Sequence, residues 1–524
     1  MHPGICRRPS PAPRAACRRA RPAPTLNTTG SRTRSEATRP AGALLLALFG
    51  IALIAFNQTA SAQDRPTVYV STVAQLYAAV NDPANADTLI VLAPGVYTLS
   101  SIAPNGGTLL LQPHMALAGY NEYQDVDGDG VWDEVYWPAE GGFPATRAFA
   151  RPKTETIIDG TQLTINAGVV RAGRLDGQQE ADNSLSGLTV IGGLLPAGTG
   201  AAEVSVRALP LGSSIRVTDC VLEKGQRGIL LTSVLNNVTS HLVAERNIIR
   251  ENASSRGWGI HLDPEGSNGI ALSNVSLTAE LRHNRFYNNR VGLNIVSIGT
   301  DDSENIVVSH SNIYDSQSPG AIPGFGAGIF TQISSSSANT HRSRNKLISN
   351  NDTIVNNVGN GGVFAMFQAP GGNALQDSEI DLSFVGTVFV KLNAAGGLDE
   401  NQNRTALGKR ADVSLIDLTS NSPSGPNISG NRLTVLIRQT FTSSAPIPTD
   451  SNPKPFIIAD RADVTPDQVD IRVIGNEVSF SQTNSGFNIP TDDFTGNGPD
   501  GNRPTVGIVF PSILVPGLLI LLPR

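Results

Sequence analysis

AERNIIRENASSRGWGIHL (residues 244–262) and LRHNRFYNNRVGLNIV (residues 281–296) are the stretches whose reading decides the architecture. Laid over one another they share an order. An asparagine (Asn247, Asn284) stands two residues before a large apolar residue (Ile249, Phe286). An Asn-rich turn follows, and then a glycine (Gly259, Gly292) reopens an apolar segment. The same order returns, loosely, in residues 217–231, 309–332, 349–367 and 474–489.

The buried anchors this pattern predicts are Val190, Leu222, Ile249, Phe286, Ile313, Ile354, Phe389, Leu433 and Val478, spaced by 27 to 45 residues. An irregular period in this range marks a solenoid, in which each coil buries its face only against its neighbours. The segments are short and rich in Val and Ile, with no helical periodicity between them, so they are expected to stack as parallel strands. Two residues ahead of the anchors stand Leu188, Cys220, Asn247, Asn284, Ser311, Asp352, Thr387, Asn431 and Asn476. Stacking predicts a column of small polar groups that bond along the axis and satisfy turn backbone.

Upstream, Val73, Leu76, Tyr77 and Val80 fall on one helical face, and Thr72 with Gln75 has the spacing of a capping box. LIVLAPGVYTL (89–99) then reads as strand, turn and strand. The helix and this segment resemble the cap and first coil of right-handed parallel β-helix proteins, the pectin-lyase-like superfamily. The Asn-x-Ile…Gly-Ile coils resemble its repeats, from about Val68 to about Ile489. The resemblance implies an all-β right-handed parallel β-helix with a short N-terminal capping helix. It implies no single reaction, because this architecture hosts polysaccharide lyases, glycoside hydrolases, epimerases, tailspikes and adhesins.

Five regions are expected: a leader (1–62), cap and first coils (63–119), an insertion (120–151), the repeats (152–489) and a turn-rich linker with an apolar tail (490–524). The leader joins nine arginines and one acid to AGALLLALFGIALIAF and ends at Ala60-Ser61-Ala62, a secretory pattern with cleavage before Gln63. Its net +8 leaves −14 on the remainder of a chain that is −6 overall, which disfavours nucleic acid and anionic membrane as partners. Cys220 is the one cysteine outside the leader, so something other than sulfur must staple an extracellular or cell-surface protein. A monomer without stable membrane insertion is expected. The tail, VGIVFPSILVPGLLILLPR, is too short and too interrupted by proline for a secure span and is expected to cover the open last coil.

Within the insertion, DVDGDGVWDE (125–134) places Asp125, Asp127, Asp129, the Val131 carbonyl and Asp133 in the D-x-D-x-D-G order of a calcium loop. Tyr136 stands where an EF-hand carries its bidentate Glu, so the segment resembles the short Asp loops of secreted bacterial proteins. A structural calcium ion is expected there.

For chemistry, the Gly-aliphatic strands should form one sheet. Alternation then points Leu230, His261, Asn294, Phe330 and Phe364 outward, with Asp263, Glu265, Asp301 and Asp302 on the adjoining rim. Asn294, Phe330 and Phe364 are the expected sugar-binding residues. Asp301 and Asp302 resemble the paired aspartates of polygalacturonase-type hydrolases, but that family's Gly-His-Gly and Arg-Ile-Lys motifs are missing. The resemblance implies Asp301, Asp302, His261 and Asp263 as catalytic candidates and a polysaccharide or cell-surface glycan as partner. The alternative is a non-catalytic structural or adhesive surface protein. His283 and His310, three residues before their expected anchors, are expected to share a column with Asp219 and Arg246.

Overall fold

The computed structural model describes residues 65–119 and most of 156–391, with strand segments at 134–137, 146–149, 416–418, 428–443, 468–474, 477–479 and 505–509. The leader, the Asp125–Asp133 loop, Asn476 and most of the tail lie outside the described residues.

The chain is an all-β right-handed parallel β-helix. One coil shows the plan. Glu304–His310 runs along the first face, turns at Ser311–Asn312 and continues as Ile313–Asp315 on the second face. Ala327–Ser334 forms the third face, and a two-residue strand, Thr340–His341, leads to the next first-face strand, Arg344–Asn350. Nine strands from Leu109–Leu110 to Ile416–Leu418 build the third face, every pairing parallel. Thr505–Val509 pairs with Gln468–Ile474, so the stack continues past Ile489. In the insertion Glu134–Trp137 and Thr146–Phe149 pair as an antiparallel hairpin.

Strand alternation fills the interior. Val190, Leu222, Ile249, Phe286, Tyr314 and Ile354 follow one another in register, all buried, and the Phe286 and Tyr314 rings stack at 4.7 Å and 7°. Two anchors are therefore corrected. Tyr314, not Ile313, pairs with Phe286 and Ile354. Phe441, not Leu433, follows Phe389, because Leu433 lies at the start of the first face, opposite Ile380, and the second-face position comes eight residues later.

The polar column forms with the same corrections. The backbone N–H groups of Cys220, Asn247, Asn284 and Asn312 donate to Oδ1 of Asn247, Asn284, Asn312 and Asp352 at 2.9, 3.0, 2.8 and 2.7 Å. Each Asn returns its Nδ2 to a carbonyl one coil back: Asn247 to Val217, Asn284 to Ala244 and Asn312 to Leu281. Asn312 takes the place expected for Ser311, while Asn431 belongs to a different corner, where it accepts from the Ser378 N–H at 3.1 Å.

At the N-terminus Val73–Asn81 packs Leu76, Ala79 and Val80 into the core. Thr72 Oγ1 accepts from the Gln75 N–H, and Gln75 Oε1 reaches back to the N–H of Ser71 rather than of Thr72, so the box closes one residue early.

Candidate functional site

The third face places the expected column as alternation demands. Leu230, His261, Asn294, Phe330 and Phe364 are consecutive register partners, preceded by Ser205 and followed by Asp417. The Phe330 and Phe364 rings stack at 5.2 Å and 11° and form, with Val291, Val296, Ala327 and Met366, a second apolar cluster outside the solenoid interior. The column is not open to solvent. Phe330 is 8% exposed, His261 and Asn294 are 1%, and Phe364 is 0%.

The residue that keeps part of its ring at the surface of this face is Trp258, which the sequence reading did not single out. Its ring lies 4.0 Å from that of His261, and the Arg227 guanidinium sits over it at 4.9 Å. Arg227 Nε donates to His261 Nδ1 at 3.1 Å, which leaves the imidazole proton on Nε2, facing Asp263 Oδ2 at 3.7 Å. Asn294 Oδ1 has no hydrogen-bond partner among the described residues. Strict alternation would send Trp258 inward with Ile260. The pairing keeps a constant offset here, Arg227 with Trp258 and Ile229 with Ile260, so nothing in the strand period marks the partial exposure of this ring. Towards the N-terminus the face turns basic: Arg171 and Arg207 lie on neighbouring strands, and burial, then Arg171, lowers the pKa of Arg207.

Asp301 and Asp302 sit elsewhere, at the corner that follows the strand Thr300–Asp301. One guanidinium holds both: Arg342 Nη2 donates to Asp301 Oδ1 at 2.9 Å and to Asp302 Oδ2 at 2.8 Å, and Nε donates to Asp302 Oδ1. The hydrogen bond from Arg342 lowers the Asp302 pKa. A general acid for glycoside cleavage needs the opposite shift, and an acid–base pair must flank the scissile bond rather than share a cation. The structure thus brings the candidates together in two pairs, Asp301 and Asp302 clamped across coils by Arg342, and His261 beside Asp263 at 3.7 Å. One carboxyl that is raised, Glu203, owes this first to burial; it is sealed at 0% exposure, with Oε1 against Gly192, and offers a substrate no approach.

His283 and His310 touch, ring centroids 5.9 Å apart and edge to face, but not as one column. His283 stands with Ser311 at the left-handed corner, and His310 ends the strand before it, opposite Arg282. Burial lowers the His283 pKa, and His310 beside it lowers it further. Among the described residues no group of three His, Cys, Asp or Glu side chains is placed to hold a metal ion.

No family model matches the chain, and no curated protein matches it. Among solved structures, ORF18 of Geobacillus virus E2 matches at 11% identity with a TM-score of 0.29, over 68% of this chain and 54% of that one. The chain thus spans about half the length of that viral protein. A variant of DFA-IIIase from Arthrobacter chlorophenolicus A6 in complex with DFA-III matches at 13% identity with a TM-score of 0.33, over 78% of this chain and 79% of that one. The same enzyme in complex with GF2 matches at 12% identity and 0.24, over 72% and 94%.

Proposed function

We propose that the chain is exported and binds an extracellular polysaccharide along the third face of its β-helix, without cleaving it at Asp301 and Asp302. The observation that carries this reading is Trp258: a partly exposed indole beside His261 and Asp263, under the Arg227 guanidinium. An aromatic plane flanked by donors and a carboxylate is what a sugar ring uses, its C–H face on the ring and its hydroxyls on the polar groups. Phe330 and Phe364 support the face from beneath.

The burial of those two rings and the clamping of Asp301 and Asp302 by Arg342 favour the second reading, a non-catalytic structural or adhesive β-helix. A glycan array and a polysaccharide-degradation screen on residues 63–524 separate the two. The glycan reading expects a bound polysaccharide whose affinity falls by roughly 1–3 kcal/mol in Trp258→Ala, the scale of lost aromatic burial. Asp301→Asn and Asp302→Asn are expected to leave binding and any cleavage as they were. If no polysaccharide is bound or cut, the structural or adhesive reading replaces it.

A further inference from the structure

The polar column changes character at Asp352. Three asparagines precede it, each satisfied by one coil behind and one ahead, and then a carboxyl takes the asparagine's place at 0% exposure. Its Oδ1 accepts from the Asn312 N–H at 2.7 Å and from Asn312 Nδ2 at 3.2 Å. Its Oδ2 meets Ser349 Oγ at 2.6 Å, Ser349 Oγ meets Thr387 Oγ1 in the next coil at 2.9 Å, and Thr387 Oγ1 donates to the Ser349 carbonyl at 3.2 Å.

Hydroxyl protons can be counted along this chain. With a proton on Oδ2, Asp352 donates to Ser349 Oγ, Ser349 donates to Thr387 Oγ1, and Thr387 donates to the Ser349 carbonyl. Every oxygen is used, and two of the three bonds cross to the next coil. With Asp352 ionised, the Ser349 hydroxyl must turn back to the carboxylate. The Ser349-to-Thr387 donation is then lost, which leaves Thr387 a single donation across the seam, to Ser349 Oγ or to its carbonyl, and a buried charge held by the hydrogen bonds of Asn312, Ser349 and Ser309 alone.

We propose that Asp352 is a proton-operated latch, which when protonated locks its own coil to the coil of Thr387 and when ionised loosens that seam. The surroundings fit this role. The groups facing the carboxyl are Asn312 from the preceding corner, Ser309 and Ser349 from two first-face strands, Tyr314 from the second face and Thr387 beyond. Tyr314 is the titratable one among them; it is neutral and bonded to Ser309 Oγ at 2.7 Å. No cation stands among these groups to hold the ionised form. Burial pushes the Asp352 carboxyl up to about 6.

The sign follows. The folded chain binds the proton more tightly than the unfolded one, so the latch's contribution is complete below the ordinary carboxylate range and is lost as pH rises through about 6. The test is hydrogen exchange by mass spectrometry on the full chain at about pH 5 and about pH 7.5, read on peptides that span Thr387 and corrected for intrinsic exchange. Protection there is expected to fall by on the order of tenfold or more at the higher pH, since a shift of one pKa unit is tenfold in the linked equilibrium. Asp352→Asn, which continues the asparagine column, is expected to abolish the difference. Thr387→Val removes the receiving hydroxyl and is expected to do the same, and it carries the test should Asp352→Asn fail to fold. Equal protection at both pH values in the parent chain, or a difference that persists in either variant, overturns the proposal.

Discussion

Asn284 shows how much one side chain can do in a solenoid. Its Oδ1 accepts from the Asn247 N–H and from Asn247 Nδ2, and its Nδ2 donates to the Ala244 carbonyl and to Asn312 Oδ1. Asn284→Ala would strand the Asn247 N–H and the Ala244 carbonyl in a dry interior. A loss on the order of 3 kcal/mol is expected in urea unfolding, since each buried orphan costs about 1–3 kcal/mol. Asn247 and Asn284 were legible because the sequence repeats them at a fixed offset from a buried neighbour. Asn312 was missed although in SHSNIYD it stands two residues before Tyr314, because the aliphatic Ile313 reads as the more apolar anchor and the Tyr314 hydroxyl suggests a surface position. Tyr314 faces inward, because its hydroxyl finds Ser309 Oγ, which lets the larger ring enter the stack with Phe286.

The corners joining the first face to the second form an element of their own. Gly187, Asp219, Arg246, His283, Ser311, Asn351 and Gly386 all have φ between 53° and 62°, and the N–H groups of the first six donate to a carbonyl of the following coil. Two glycines hold the left-handed conformation freely, while the five residues between them pay roughly 1–2 kcal/mol each. Ser311→Gly is therefore expected to raise stability by up to about 1 kcal/mol, seen as a higher urea midpoint at unchanged slope. A midpoint that stays put or falls would count against corner strain. Arg246 is a contrary case at the same kind of position, because its ion pairs with Asp219 at 2.7 Å and Glu245 at 2.6 Å offset the strain. The corners escaped the sequence reading because His, Arg and Ser do not advertise a left-handed turn as glycine does. The displacement of the buried column from Leu433 to Phe441 has a related cause: Asn431 belongs to the corner that opens the first face, and spacing measured from the wrong corner misleads.

Among the described residues no disulfide joins the coils; adjacent coils are tied by backbone ladders, the asparagine column and ion pairs laid across the strands. Glu379 takes Arg432 at 2.6 Å and Arg344 at 3.7 Å, Asp381 takes Arg344 at 3.0 Å and Lys346 at 3.7 Å, and Glu223 takes Arg250 at 2.7 Å. Most of these groups are partly solvated, so Glu379→Gln is expected to cost at most about 1 kcal/mol. The Asp125–Asp133 loop, outside the described residues, is proposed as a different kind of staple. An ion bound by the folded chain alone adds stability by mass action, so chelator is expected to lower the melting temperature measured in about 1 mM calcium. Asp127→Ala with Asp129→Ala should lower it likewise and abolish the chelator's effect, whereas identical melting with and without calcium would refute a stabilising site. The solenoid, its capping helix and the order of the third-face column could all be read from the sequence, because each follows from a periodicity. The burial of that column could not, since alternation tells which way a side chain points and not what lies over it.

The second-face anchors Ile249, Phe286, Tyr314, Ile354 and Phe389 are separated by unequal lengths of chain, yet they meet in unbroken register. The molecule keeps count by corners, not by residues. Extra chain between Asp315 and Ala327 would leave every column aligned. One residue added beside Asn312 would rotate a whole coil out of phase. Such a scaffold can lengthen by duplicating complete coils and can diversify by rewriting loops, while its interior grammar stays the same.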